Sequence, residues 1–140
     1  MNKRNLLSKM LTNTTVVGIP TTFDLSFFRY WVEFLKPIHK LSPQGVELIS
    51  LFLNKRQELS SSIIDENVLD EVLFSREVKK EIRETLGVTS NHFQVLMNDL
   101  RNKKVLIDGK INPKFIPRVD TKQNDYKLIV QFRFDERNKN

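Results

Sequence analysis

The chain has 140 residues, a net charge of +6 and no cysteine. This length suits one domain with a short extension, and the absence of cysteine excludes disulfides, thiolate metal ligands and a cysteine nucleophile. Hydrophobic residues make up 39% and charged residues 29%, which is typical of a globular domain and excludes the disordered class. No apolar run approaches the roughly 20 residues that span a bilayer, so we expect no membrane partner.

The charges are unevenly placed. Residues 61–75 carry four acidic residues and no basic one, whereas residues 76–104 carry seven basic and four acidic residues. A basic surplus permits a polyanionic partner. The strip 76–104 is therefore where we expect a surface that faces an anion.

Residues 1–22 are predicted to be an extended arm, since Gly18, Pro20 and several β-branched residues disfavour a helix. A short strand is predicted at residues 14–17. Asp24 is a good N-cap for a helix over residues 25–36, which we expect Pro37 to end.

This helix is unusually aromatic, and with its linker it occupies residues 23–41. One small core rarely covers so wide an apolar surface, so part of it is expected to meet the arm or a second subunit. The predicted oligomer interface consists of Phe27, Phe28, Tyr30, Trp31 and Phe34.

Four more helices are predicted from their caps and from apolar periodicity in the region 42–117. They cover residues 43–58, 66–73, 76–86 and about 90–104, capped by Ser42, Asp65, Ser75 and either Thr89 or Ser90. Two short apolar runs then flank Asp108-Gly109, which is the strongest local signal for a two-residue hairpin turn.

The C-terminal region, residues 118–140, alternates apolar and polar side chains from Tyr126 to Phe134. A period of two over nine residues predicts a strand with one buried face. We expect it to extend the hairpin sheet or to pair with the arm. The tail after it is polar.

The segment from Lys79 to Asn112 carries the most functional information. Gly87 ends one helix in a left-handed conformation, a three-residue turn follows, and Phe93 and Leu96 pack the next helix against the first. This pattern resembles the helix-turn-helix, and the hairpin after it makes it similar to the winged-helix superfamily. The resemblance implies an α+β winged helix-turn-helix domain over about residues 42–117.

The resemblance also implies that the second helix of the motif enters the DNA major groove by its N-terminal half. Amide side chains can bond adenine, Arg can bond guanine and Val can meet a thymine methyl group, while lysines and a helix N-terminus hold phosphates. The expected nucleic-acid-binding residues are Thr89, Ser90, Asn91, Gln94, Val95, Asn98, Arg101, Lys103, Lys104, Lys110 and Lys114.

Three other interpretations stay open or are weak. Arg83 occupies a position where helix-turn-helix proteins usually have a small side chain, so the sequence departs from that pattern there. Winged helices also often bind other proteins, which is an alternative to DNA binding. Acids at the start of a short helix, such as Asp65 and Glu66, usually face solvent, so we expect no metal and no cofactor. His39 and His92 are isolated from each other in sequence, and no constellation indicates an enzyme.

Two segments, residues 34–43 and 108–117, resemble small uncharacterised proteins of crAss-like tailed phages that infect gut Bacteroidota. The resemblance implies a phage protein, located in the bacterial host cytoplasm or in the virion. Two functions then compete. One is a non-enzymatic DNA-binding regulator, replication or packaging factor, and the other is a structural component of the particle that contacts itself or neighbouring phage proteins through the arm and aromatic helix.

Overall fold

The structure is a computed structural model that describes residues 13–135. These residues form a mostly helical α+β fold with a small antiparallel sheet. The elements are α1 Leu25–His39, α2 Pro43–Ser60, α3 Glu66–Leu73, α4 Arg76–Leu86, α5 Ser90–Asn102, β1 Leu106–Ile107, β2 Lys110–Ile111 and a 3₁₀ turn at Pro113–Phe115. Within residues 13–135, no helix is both long enough and apolar enough to cross a lipid bilayer.

Helix α1 begins as predicted and ends later than predicted. The Asp24 carboxylate accepts a hydrogen bond from the Ser26 N–H. The helix then continues through Pro37 to His39, so the expectation that Pro37 stops it was wrong. Near a helix end a proline removes only one backbone bond. The chain leaves the helix at Lys40, which has φ of 54° and donates its N–H to the Lys36 carbonyl.

Helix α2 is the centre of the fold, and the other helices pack around it. Ser42 caps it through the Gly45 N–H, and Pro43 occupies its first turn. Leu48, Ile49 and Phe52 are completely buried. Helix α1 contributes Phe28, Trp31 and Val32 to the same core, so the aromatic helix and the region 42–117 share one hydrophobic interior.

The boundaries of α3, α4 and α5 follow the predicted caps closely. Asp65, Ser75 and Thr89 each accept backbone N–H bonds at the start of their helices. Helix α5 ends at Asn102, two residues earlier than predicted. The reason is that Lys104 adopts a left-handed conformation with φ of 64°, which turns the chain towards β1.

The predicted hairpin is confirmed. Asp108 and Gly109 have φ of 54° and 75°, as the first and second positions of a type I′ turn require. Leu106 lies opposite Ile111, and both are buried in the core. The side chains of Leu106 and Ile111 therefore pack the hairpin against the helices.

The predicted C-terminal strand is wrong, because residues 125–135 form no strand in the structure. Phe132 and Phe134 are 82% and 83% exposed. The sheet offers only two-residue strands as partners, and a strand without a paired neighbour has no source of backbone hydrogen bonds. Residues 14–17 likewise form no strand. The rest of the predicted arm, residues 1–12, and the end of the tail, residues 136–140, lie outside the described residues.

Candidate nucleic-acid interface

The turn between α4 and α5 is built by backbone hydrogen bonds around Gly87. This residue has φ of 76°, and its N–H donates to the Arg83 carbonyl at 2.9 Å. The Val88 N–H bonds the same carbonyl at 3.4 Å. Thr89 then starts α5 by accepting the His92 N–H at 3.1 Å. These bonds define a turn of three residues, 87–89, between the two helices.

Helices α4 and α5 pack more closely on α2 than on each other. Arg83 is half-buried at the position where a small residue normally allows a tight crossing. A bulky side chain at this position disfavours a tight crossing of the two helices. The angle between α4 and α5 is therefore set mainly by α2.

Helix α5 has one buried and one exposed face. Phe93, Leu96, Met97 and Leu100 point into the core. The opposite face is exposed, as predicted, and Val95 is 60% exposed on it. The exposed predicted residues are Thr89, Ser90, Asn91, Gln94, Val95, Asn98 and Arg101. Their amide and guanidinium groups are thus accessible to a ligand from solvent.

One contact fixes the start of α5 relative to α2. The His92 Nε2–H donates to the Gln44 Oε1 at 2.7 Å, and His92 is half-buried. No local pattern predicts this pair, since the two residues lie 48 positions apart. The imidazole therefore positions the start of α5 against α2.

Arg101 and Asn98, two exposed residues on α5, are hydrogen-bonded to each other. The Arg101 guanidinium donates to the Asn98 Oδ1 at 2.6 Å. They lie three residues apart, which places them on one face of a helix. A guanidinium has five N–H donors, so Arg101 retains donors for a partner while Asn98 restricts its rotation.

The predicted lysines near the end of α5 differ in whether an acidic side chain neutralises them. Asn112 donates its side-chain amide to the Lys104 carbonyl at 2.9 Å and accepts the Lys114 N–H at 3.1 Å. Asn112 thus holds the backbone of these two exposed lysines close together at the end of α5. The Lys103 ammonium lies 2.8 Å from Asp99 and is partly neutralised by it.

Lys110 belongs to a different surface. It lies at the hairpin tip with Asp108 and Gly109. It lines a shallow depression together with Asn67, Asp70 and Glu71 of α3 and with Phe74, which follows that helix. The carboxylates of Asp70 and Glu71 would repel a phosphate group at this place. Lys110 is therefore the least suitable of the predicted phosphate contacts.

Only some of the five residues of the predicted oligomer interface are exposed in the structure. Phe28 and Trp31 are buried in the core of this chain, so they were wrongly included in the interface. Phe27 is half-buried, with ring contacts to Phe23 and Tyr126. Tyr30 and Phe34 remain, at 45% and 47% exposure.

The acidic residues of α3 have structural partners. Glu66 lies 3.0 Å from Arg118 and 3.8 Å from Arg56, and Asp70 lies 3.9 Å from Arg56. Among residues 13–135 there is no group of three His, Asp or Glu side chains arranged to hold a metal ion. The acidic cluster joins α3 to α2 and to the segment after the 3₁₀ turn.

Comparisons with known proteins identify no relative. No protein-family model matches the chain, and no match was found among curated proteins or solved structures.

Proposed function

We propose that the chain is a non-enzymatic DNA-binding protein in which α4, the turn at Gly87 and α5 act as a helix-turn-helix and the hairpin acts as a short wing. The observation that carries this proposal is the exposed face of α5, which presents three amide side chains, Val95 and Arg101 to solvent. Such a face on the second helix of a helix-turn-helix has the donors and acceptors that major-groove base edges match.

Base contacts are assigned to the exposed face of α5 from Gln94 to Arg101. Asn98 and Gln94 offer bidentate amide groups for adenine, and Arg101 offers a fork of donors for guanine. The contact between Asn98 and Arg101 reduces the entropy that Arg101 loses on binding. A coupled Asn and Arg pair favours limited base preference over purely electrostatic binding.

Phosphate contacts are assigned to both ends of α5. At its start, backbone N–H groups of the first turn are directed out of the helix and attract an anion. At its end, Lys104 and Lys114 are held near each other by Asn112. Contacts at both ends would fix the position of α5 along the groove.

The test is a fluorescence anisotropy titration of the full chain with a labelled random duplex of about three helical turns. Two lysine contacts to phosphate predict that affinity falls about 10-fold between roughly 50 and 200 mM salt. Undetectable binding, or binding that does not depend on salt, contradicts the proposal. A set of duplexes of different base composition then measures base preference.

A second candidate, a structural component of a phage particle, is favoured by the exposed apolar side chains near both ends of the described chain. Val16 and Val17 are 72% and 77% exposed. Exposed apolar groups are commonly covered by neighbours in an assembly. Deleting residues 1–22 should then remove the protein from purified particles without unfolding the domain. Normal incorporation of the truncated protein contradicts this candidate.

A further inference from the structure

A cavity of about 370 Å³ opens to solvent between the second half of α2, residues 61–65, α3 and residues 116–119. Most of the residues that line it are apolar, and Phe28, Leu53 and Leu69 among them are buried. Sites for small molecules have volumes from roughly 300 Å³ upwards, and their walls are mostly apolar with a few polar groups. The cavity therefore has the size and the kind of wall that a small organic ligand needs.

Among the described residues, two arginines and one acidic residue line this cavity. The Arg56 side chain is 11% exposed, whereas the Arg118 side chain is 61% exposed. The Glu66 carboxylate lies 3.0 Å from Arg118 and 3.8 Å from Arg56. The cavity wall thus carries one more positive than negative charge, which favours an anionic ligand over a cationic one.

Arg56 has a hydrogen-bond donor that no side chain satisfies. Its buried Nε–H has no acceptor within residues 13–135. The Asp70 carboxylate lies 3.9 Å from this Nε and Glu66 lies 3.8 Å from an Nη atom, and both separations exceed the length of a hydrogen bond. A buried donor without an acceptor is unfavourable, and a guanidinium presents its donors as a planar fork that fits a carboxylate. A ligand carboxylate would therefore supply the acceptor oxygens that the neighbouring side chains do not.

An exposed isoleucine lies at the mouth of the cavity. Ile64 lines the cavity and is nevertheless 96% exposed, and its neighbour Ile63 is half-buried. Asp65 caps α3 directly after them, so the start of this helix holds both isoleucines in place. The hydrocarbon part of a ligand would remove the Ile64 side chain from water, which is favourable in proportion to the apolar area covered.

We propose that this cavity binds a small monocarboxylate with an apolar body of about eight carbons. The ligand carboxylate binds Arg56 and Arg118, and its hydrocarbon part packs on Ile63 and Ile64. Glu66 is 65% exposed, so its side chain can turn towards solvent while the ligand takes its place beside Arg118. None of the described residues that line the cavity belongs to α5, and the site goes beyond the function proposed above and does not depend on it.

The first experiment is an NMR titration of the isotope-labelled full chain with sodium octanoate. We expect saturable shifts that are largest for the backbone amides of residues 56–66 and 116–119, with a dissociation constant of about 1 mM. Octanol and octylamine carry the same hydrocarbon chain and are the matched control ligands. Both should bind at least about 10-fold more weakly, because neither offers a carboxylate to the arginines. The absence of saturable shifts with octanoate, shifts spread over the whole basic surface, or a control ligand that binds as tightly as octanoate overturns the proposal.

The second experiment repeats the octanoate titration with variants of exposed residues, whose folding is checked by circular dichroism. Arg118→Gln removes a charged donor and Ile64→Asp removes an apolar contact at the mouth, and each should weaken octanoate binding by about 10-fold. Lys122→Gln and Ile38→Asp are the matched controls at exposed positions elsewhere, and they should leave binding unchanged. Unchanged binding in Arg118→Gln or Ile64→Asp, or an equal loss in the matched controls, overturns the proposal.

Arg56→Lys tests the buried guanidinium itself. The variant keeps a positive charge beside Asp70 and Glu66, so the fold should be retained, but an ammonium cannot present two parallel donors to a carboxylate. We expect octanoate binding to weaken by about 10-fold. Octanoate binding as tight as in the unmodified chain would show that Arg56 does not contact the ligand, and it too overturns the proposal.

Discussion

The Trp31 indole donates its Nε1–H to the Phe115 carbonyl oxygen at 2.7 Å, and both residues are buried. The bond joins α1 to the 3₁₀ turn after the hairpin, across 84 positions of sequence. The His39 ring packs on Phe115 from the end of the same helix. Helix α1 therefore supports the region behind the hairpin and is more than an appended interface.

Removing this hydrogen bond should destabilise the fold. Trp31→Phe leaves the Phe115 carbonyl buried without its donor and opens a small cavity, so we expect a loss of about 2–4 kcal/mol in the free energy of unfolding. Ile38→Ala on the exposed side of α1 should change it by less than about 0.5 kcal/mol. Because Trp31 is the single tryptophan, urea unfolding should be followed by far-UV circular dichroism. Equal stability of Trp31→Phe and the unmodified chain contradicts this prediction.

The Gly87 turn should be sensitive to a side chain for a conformational reason alone. A Cβ added at Gly87 meets nothing within 4 Å, but φ is +76°. We expect Gly87→Ala to cost about 1 kcal/mol. Gly87→Asn should cost less, since Asn tolerates this conformation. Gly18→Ala is the control, because its φ is not left-handed and the site is open. Chemical unfolding of the three variants distinguishes strain from steric clash.

The cap of α1 predicts a pH effect. The Thr22 hydroxyl donates to Asp24 at 2.8 Å and the Ser26 N–H donates to it at 2.9 Å. These bonds, the one from Thr22 most of all, hold the pKa of the Asp24 carboxyl below its ordinary value. A lowered folded-state pKa stabilises the fold above the unfolded value, and the effect is lost as the pH falls through the folded-state pKa.

An NMR titration of the Asp24 carboxyl should show this lowered pKa directly. Thr22→Val should raise this pKa towards its ordinary value, because it removes the hydroxyl donor while keeping the side-chain shape. Thr21→Val, whose hydroxyl bonds a backbone carbonyl instead, is the control. An unchanged Asp24 pKa in Thr22→Val would show that the hydroxyl does not contribute.

Arg101 and Lys104 have different roles in the proposed DNA interface: Arg101 contacts a base and Lys104 contacts a phosphate. Arg101→Ala should weaken binding by roughly 10-fold or more and reduce any base preference, since a bidentate base contact is lost. Lys104→Ala should weaken binding to all duplexes similarly and lower the salt slope by about one. Lys122→Ala removes the same charge elsewhere and should have little effect. Equal losses for all three variants would indicate a non-specific charge effect in place of an interface on α5.

The helix ends and the hairpin of this protein follow from short stretches of its sequence. Asp65, Ser75 and Thr89 marked helix starts, Gly87 marked a helix end, and Asp108-Gly109 marked the hairpin. Capping side chains and left-handed residues act over two to four positions, so their signals are contained in the local sequence.

Tertiary structure decided which surfaces remain available. Phe28 and Trp31 are buried in the core, whereas Tyr30 and Phe34 are exposed. His92 is hydrogen-bonded to Gln44, which lies far away in the sequence. The apolar alternation after Tyr126 predicted a strand, yet no strand formed, because backbone pairing requires a neighbour that local sequence cannot supply. Periodicity specifies which side chains share a face, whereas only the packing of distant elements determines whether that face is covered.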